Sequence, residues 1–148
     1  MTLLLLSFLY LLYNVCYALT SLPAGKLADR YGKKSVLIAS YFLFALLTWG
    51  FAKEATPSLL WILFALYGVF MGMNDGVARA YISDTVPDRQ RGSALGMYNM
   101  LTALLILPAN ALGGYLWYSF GVTIPFLLAA VVASIAGLLL LWTKVNGK

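Results

Sequence analysis

Five long apolar segments constrain what this chain can fold into. They cover approximately residues 2–22, 35–52, 58–82, 93–118 and 122–142. Each is close to the length of about 20 residues that an α-helix needs to cross the hydrocarbon core of a bilayer. Backbone groups in lipid must be hydrogen-bonded internally, and the segments are too long for barrel strands, so helices are expected. The sequence therefore predicts an all-α, polytopic membrane helix bundle with five transmembrane helices.

Composition excludes several other classes of protein. With 62% hydrophobic and 10% charged residues and a mean hydropathy of +0.86, the chain has too little polar surface for a soluble globule. The net charge of +5 does not indicate nucleic-acid binding, because the basic residues lie between apolar segments. The chain has no histidine and one cysteine, Cys16. We therefore expect a lipid environment, no nucleic acid, no metal centre and no cofactor, and the missing general base argues against an enzyme.

The most charged stretch of the chain is residues 25–34, which read Gly-Lys-Leu-Ala-Asp-Arg-Tyr-Gly-Lys-Lys and separate the first two apolar segments. They contain five of the fifteen charged residues. Two glycines permit a tight reversal of the backbone, so the stretch predicts a short loop at a membrane surface. The residues that define this pattern are Gly25, Asp29, Arg30, Gly32, Lys33 and Lys34.

This pattern resembles the signature loop of the major facilitator superfamily of secondary transporters. The resemblance implies two halves of six helices, each built from two inverted three-helix repeats, with a small solute bound near the midplane. Residues 80–96 look like the connection between the fourth and fifth helices of such a half, and residues 107–117 look more like a C-terminal half. Leu107-Pro108 stands where drug antiporters usually have Gly-Pro. The five helices are therefore identified as the eighth to twelfth of a partial transporter domain covering residues 1–148.

Positive charge predicts the orientation of the helices. The first connection contains four basic residues, the third contains Arg89 and Arg91, and the C-terminal tail contains Lys144 and Lys148. The second connection has only Lys53, which Glu54 offsets. The distribution places the C-terminus in the cytoplasm and the N-terminus outside, in a multi-pass protein of the cell membrane.

Two functions fit these features. The first is transport of an unknown small solute by alternating access, with the chain as an incomplete C-terminal half whose partner is a missing N-terminal half or another chain. The alternative is a non-transporting membrane scaffold, or a half-size subunit that pairs with another chain. The substrate, the coupling ion and the direction of transport do not follow from the sequence.

An acidic residue inside the third segment is the strongest candidate for a functional site. Asp75 lies about 12 Å from the inner end of the segment near Ser83, at 1.5 Å per residue, and is too short to reach water from there. Arg79 follows at i+4 in the favourable acid-before-base order. Asp75 is interpreted either as a group that exchanges a proton or binds a cationic substrate, or as half of a structural ion pair.

Polar side chains in the apolar segments form a candidate pathway. In the first segment the spacing of four, three and four places Tyr10, Asn14, Tyr17 and Ser21 on one face. A thinner set lies in the fourth segment and consists of Asn99, Thr102 and Asn110. The candidates are Tyr10, Asn14, Tyr17, Asn74, Asn99 and Thr102. For any one of these residues a hydrogen bond that joins helices is the simpler explanation, and only the stripe as a whole suggests a pathway. The second and fifth segments are almost uniformly apolar, and we expect them to face lipid.

Glycine and proline indicate close packing and bending. Gly68, Gly72 and Gly76 form a small-residue face against which another helix backbone can approach. Pro108 predicts a kink in the fourth segment, and Gly113 and Gly114 let its outer end pack tightly or flex.

Overall fold

A computed structural model describes residues 3–53 and 56–143 of the chain. Its elements are α1 (Leu3–Tyr31), α2 (Lys33–Ala52), α3 (Pro57–Thr85), α4 (Arg91–Phe120) and α5 (Thr123–Trp142), with one short 3-10 helix (Asp88–Gln90). The five α-helices are all long and apolar enough to cross a membrane, and the described residues contain no strand. The prediction of an all-α membrane helix bundle is confirmed.

The helices extend beyond the apolar segments, which corrects the predicted loop at residues 25–34. Helix α1 continues for nine residues past position 22, so Gly25, Asp29 and Arg30 are helical and only Gly32 lies between α1 and α2. Most side chains in this extension are good helix formers, and a helix whose backbone is already bonded can continue from lipid into water. The reversal requires Gly32 alone, at a φ of 89° that favours glycine.

Helix α2 is the central element of the bundle and not a lipid-facing one, so that expectation was wrong. It packs most extensively against α5 and also contacts α3 and α1. Seven of its residues are buried, including the hydroxyl residues Ser40 and Thr48. Lipid and neighbouring helices are equally apolar, so uniform apolarity does not distinguish a lipid-facing helix from one surrounded by protein.

Two apolar clusters hold the helices together. One contains Leu47, Leu63 and Phe70, with Phe44 stacked on Phe70 at a ring-centre distance of 4.6 Å. The other lies at the opposite end of the helices and joins Ala28 of α1 to residues of α2 and α3. The first cluster joins α2 to α3, and the second fixes α1 against both of these helices.

Charged side chains connect the helices where α1, α3 and α5 end and α2 begins, a region we name the charged end. Lys33 forms an ion pair with Asp84, which joins α2 to α3. Lys34 donates hydrogen bonds to the carbonyls of Leu141 and Thr143, which joins α2 to the end of α5. The predicted start at Thr2, the offset at Glu54 and the tail lysines 144 and 148 lie outside the described residues.

Candidate functional site

The site begins where α1 and α3 touch backbone to backbone. Gly68 and Gly72 are buried, and a side chain added to either would collide with α1. A Cβ on Gly72 would lie 2.9 Å from both the Tyr17 carbonyl oxygen and the Thr20 Cβ. Glycine at these positions allows two membrane helices to approach more closely than any larger residue would. The close approach fixes the side chains of α1 next to those of α3.

One turn further along α3, Asp75 has two partners. Its Oδ1 lies 3.2 Å from Arg79 Nη2, and its Oδ2 accepts a hydrogen bond from the Tyr17 hydroxyl at 3.3 Å. Asp75 is nine residues before Asp84 of the charged end, which is about 14 Å along the helix. The partners therefore come from both helices, and both oxygens of a carboxylate deep in an apolar segment are occupied.

A half-enclosed cavity of about 350 Å³ extends from Asp75 towards the charged end between α1 and α3. On α1 it is lined by Tyr17, Ser21, Gly25 and Asp29, which repeat every four residues along one face. Arg79 of α3 and Lys33 of α2 also line it. The cavity thus brings Asp29 of the charged stretch and Asp75 of the third segment to one space, which the sequence alone did not indicate.

Three tyrosines extend the site along α1 from Asp75 away from the charged end. Tyr13 stacks on Tyr67 of α3 at a ring-centre distance of 5.4 Å and lies 6.4 Å from Tyr17. Tyr10 is next along the same face and remains exposed. The Asn14 side chain donates a hydrogen bond to the Tyr10 carbonyl at 2.7 Å, within its own helix. Of the polar set predicted on α1, Tyr17 is the member that reaches Asp75.

Asn74 points towards α2, on the other side of α3. Its Oδ1 accepts a hydrogen bond at 3.3 Å from the Ser40 hydroxyl, which is fully buried. The arrangement joins two helices. Ser40 was not predicted to participate, because a single hydroxyl in an apolar segment gives no signal of its neighbours.

Helix α4 carries the remaining predicted residues on surfaces that the other helices do not cover. The side chains of Asn99 and Asn110 are exposed and make no hydrogen bond to the described residues, and the Thr102 hydroxyl donates to the carbonyl of Tyr98 at 2.8 Å. Pro108 lies inside the helix. Gly113 and Gly114 have no neighbour within 4 Å of an added Cβ. A second cavity, of about 480 Å³ and lined mainly by apolar residues, separates this part of α4 from α2, α3 and α5.

The sequence pattern of the Major Facilitator Superfamily matches residues 1–148, the entire chain. The chain belongs to this superfamily. It is therefore a multi-pass membrane protein, and the resemblance of residues 25–34 to the superfamily's signature is confirmed at the level of the family.

Curated members of the superfamily are similar to the chain over most of its length. The MFS-type transporter MJ1317 of Methanocaldococcus jannaschii is 41% identical over 90% of the chain. The multidrug resistance protein MdtL of a Shewanella species is 34% identical over 68%, and the multi-drug resistance efflux pump PmrA of Streptococcus pneumoniae is 32% identical over 78%. The alignments cover 33%, 26% and 29% of these relatives, so the chain spans about a third of their length or less. No solved structure matches it.

Proposed function

We propose that the chain is part of a secondary transporter that moves a small solute by alternating access, with no covalent step. The observation that carries the proposal is the carboxylate of Asp75 inside an apolar segment, hydrogen-bonded to Tyr17 and paired with Arg79. An ionisable group at this depth is costly and marks the path of a solute or a proton. Asp75 would exchange a proton during transport, with Arg79 as its partner on the same helix.

The charged end faces the cytoplasm in this proposal. Basic residues concentrate there, in the connection around Lys33 and Lys34 and in the short connection that contains Arg89 and Arg91. At the opposite end, Lys53 lies over the ring of Trp49 at 3.8 Å, an arrangement typical of a membrane interface. The C-terminus is then cytoplasmic and the N-terminus outside.

The exposed surface of α4 favours the presence of a protein partner that completes the bundle. No described residue of α4 is buried, although its length and hydropathy are those of a transmembrane helix. Lipid cannot hydrogen-bond the exposed amides of Asn99 and Asn110, whereas a neighbouring helix can. We propose that further helices cover α4, either from an N-terminal half of the same transporter or from another chain.

Two of the relatives are named for multidrug resistance, which makes drugs the first compounds to test. The carboxylate of Asp75 provides a negative charge, and Tyr17 and the neighbouring Tyr13 provide aromatic faces, for a cationic organic solute.

The proposal is tested in bacteria that lack their own efflux pumps. One strain expresses the 148-residue chain alone, and a second expresses the longest open reading frame of the source genome that contains it. Growth is measured against a panel of drugs, and uptake against a panel of labelled metabolites. We expect the second strain to gain resistance or uptake for at least one compound. Stable insertion of both proteins without a change for any compound would contradict transport and favour the scaffold.

A further inference from the structure

A groove runs along the exposed surface of the α2–α5 pair, in the part of these helices that lies away from the charged end. Its volume is about 560 Å³. Ala45 of α2 and Ala130 of α5 border it and are buried. The larger side chains that border it are apolar and exposed: Leu46, Trp49, Leu127, Val131 and Ile135. Small residues in both helices thus leave a trough between two rows of larger ones.

One strip of α2 remains uncovered, although α2 is the most enclosed helix. Its exposed residues Phe42, Leu46, Trp49 and Lys53 are three or four positions apart and therefore share one face. On the side of the charged end, the Phe42 ring lies against Gly137 of α5, 3.4 Å from the place of an added Cβ. The two helices touch there, so the groove ends at Phe42 and extends from it towards Trp49.

The groove has the dimensions and the surface of a site for one acyl chain. Leu127 and Ile135 are eight positions apart on α5, which is about 12 Å along the helix. One leaflet contributes half of a hydrocarbon core of about 30 Å, or about 15 Å. Ser134, which also borders the groove, donates its hydroxyl hydrogen to the carbonyl of Ala130 at 2.8 Å. This polar group is satisfied within its own helix, so hydrocarbon can cover it without loss of a hydrogen bond.

A positive charge lies at the end of the groove where headgroups would be. Lys53 directly follows α2, and its ammonium nitrogen lies 3.8 Å from the centre of the Trp49 ring, which borders the groove. Lys53 forms no ion pair with the described residues. Tryptophan is typical of the membrane interface, and a lysine at that depth attracts anionic lipid headgroups.

We propose that this groove binds an anionic phospholipid of the leaflet opposite the charged end. One acyl chain lies in the trough between Trp49 and Val131, and the headgroup phosphate pairs with Lys53. Phosphatidylglycerol fits this arrangement, because its phosphate carries a net charge, whereas phosphatidylcholine neutralises its phosphate with its own ammonium group. Lipid binding does not depend on transport, so it stands or falls separately from the proposed function.

Quenching of tryptophan fluorescence by brominated lipids tests the site in proteoliposomes of the full chain. Trp61→Phe, Trp117→Phe and Trp142→Phe together leave Trp49 as the only tryptophan. Mixtures in which either phosphatidylglycerol or phosphatidylcholine is brominated give the relative affinity of the two lipids at this residue.

A second reporter retains Trp117 as its only tryptophan and serves as the control. Trp117 is exposed and lies near the end of α4 that is opposite the charged end. The sequence between Arg91 and Lys144 contains no lysine or arginine. This reporter therefore meets lipid at the same end of the bundle without a neighbouring cation on its own helix.

We expect phosphatidylglycerol to bind about fivefold more strongly than phosphatidylcholine at Trp49, since one interfacial lysine contributes roughly that factor. At Trp117 the two lipids should bind equally. Lys53→Gln should remove the preference at Trp49. Lys26→Gln, which neutralises an exposed lysine of the charged end, should retain it. Glu54 stays in every variant, so its charge does not account for a difference between them.

Three outcomes would overturn the proposal. A preference that is equal at the two reporters, or that survives Lys53→Gln, would show that the net charge of the chain attracts the lipid. Absence of quenching at Trp49 by either lipid would show that protein covers the groove. If the reporters fail to insert, native mass spectrometry of chains with all four tryptophans compares phosphatidylglycerol binding by Lys53→Gln and Lys26→Gln. Equal binding by these two variants would also contradict the site.

Discussion

Two glycines one turn apart on α3 occupy opposite environments, although the sequence presents them as one small-residue face. Gly72 is buried against Tyr17 and Thr20 of α1, whereas Gly76 borders open space. The repeat at i, i+4 predicts which side of α3 is small, but not where the neighbouring helix turns away from it. Their substitutions should therefore differ in effect.

Gly72→Ala should lower the free energy of unfolding by about 1–3 kcal/mol, because the added methyl group forces α1 and α3 apart. Gly76→Ala should leave the free energy unchanged or raise it by up to about 1 kcal/mol, since alanine favours a helix and meets no neighbour there. Unfolding of the purified chain in detergent, followed by circular dichroism, measures both. Equal destabilisation by the two substitutions would show that α1 does not cross α3 at Gly72.

Asp75 shows how far the sequence predicts a site at this scale. The pairing with Arg79 has the i, i+4 spacing of a single helix, which the sequence displays directly. The hydrogen bond from Tyr17 joins residues 58 positions apart and depends on the packing of α1 on α3. Asp29 enters the same cavity for the same reason. Contacts within one helix follow from the spacing of residues, and contacts between helices require the fold.

At the scale of elements, the number and type of the helices follow from the length of the apolar segments, but their ends and neighbours do not. Helix α1 extends to Tyr31 because a hydrogen-bonded backbone does not need an apolar side chain to continue into water. Helix α2 was expected in lipid and is the most enclosed helix. In both cases hydropathy shows whether a side chain tolerates an apolar environment. It does not show whether lipid, water or another helix surrounds that side chain.

Lys34 should stabilise the end of α5, because its ammonium group bonds the carbonyls of Leu141 and Thr143, which have no partner within the helix. Lys34→Met should lower the local stability of the last turn of α5 by about 0.3–1 kcal/mol. This corresponds to about two- to fivefold faster exchange of the amide hydrogens in that turn. Hydrogen exchange with mass spectrometry measures this. Lys26→Met is the control, since Lys26 is exposed and contacts no described partner. Equal amide hydrogen exchange in the two variants would show that Lys34 does not stabilise the end of α5.

At the scale of the whole molecule, the described helices present a bundle with one side uncovered. Helices α1, α2, α3 and α5 share buried contacts, while α4 and one face of α1 remain exposed. The signature residue Asp29 lies on that open side and makes no bond to the described residues. Its contribution should therefore depend on whether further helices are present.

Asp29→Asn should leave the unfolding of the isolated chain unchanged and slow transport in a complete transporter about two- to fivefold. This follows if the carboxylate pairs with a helix N-terminus supplied by the partner half, a contact typically worth about 0.3–1 kcal/mol. Parallel measurements of stability on the chain and of transport rate on the complete protein separate these effects. A loss of stability in the chain alone would show that Asp29 acts within this bundle.

Asp75 is the proposed group that couples a proton to solute movement, and one reconstitution measures this role directly. The complete protein, in proteoliposomes with a compound found active in the growth screen, is assayed for accumulation driven by a pH gradient and for exchange at equal pH. Asp75→Asn should abolish accumulation and retain exchange. Asp88→Asn, at an exposed ion pair with Arg91 outside the apolar segments, should change neither. Undiminished accumulation by Asp75→Asn, or loss of exchange together with accumulation, would contradict the coupling role.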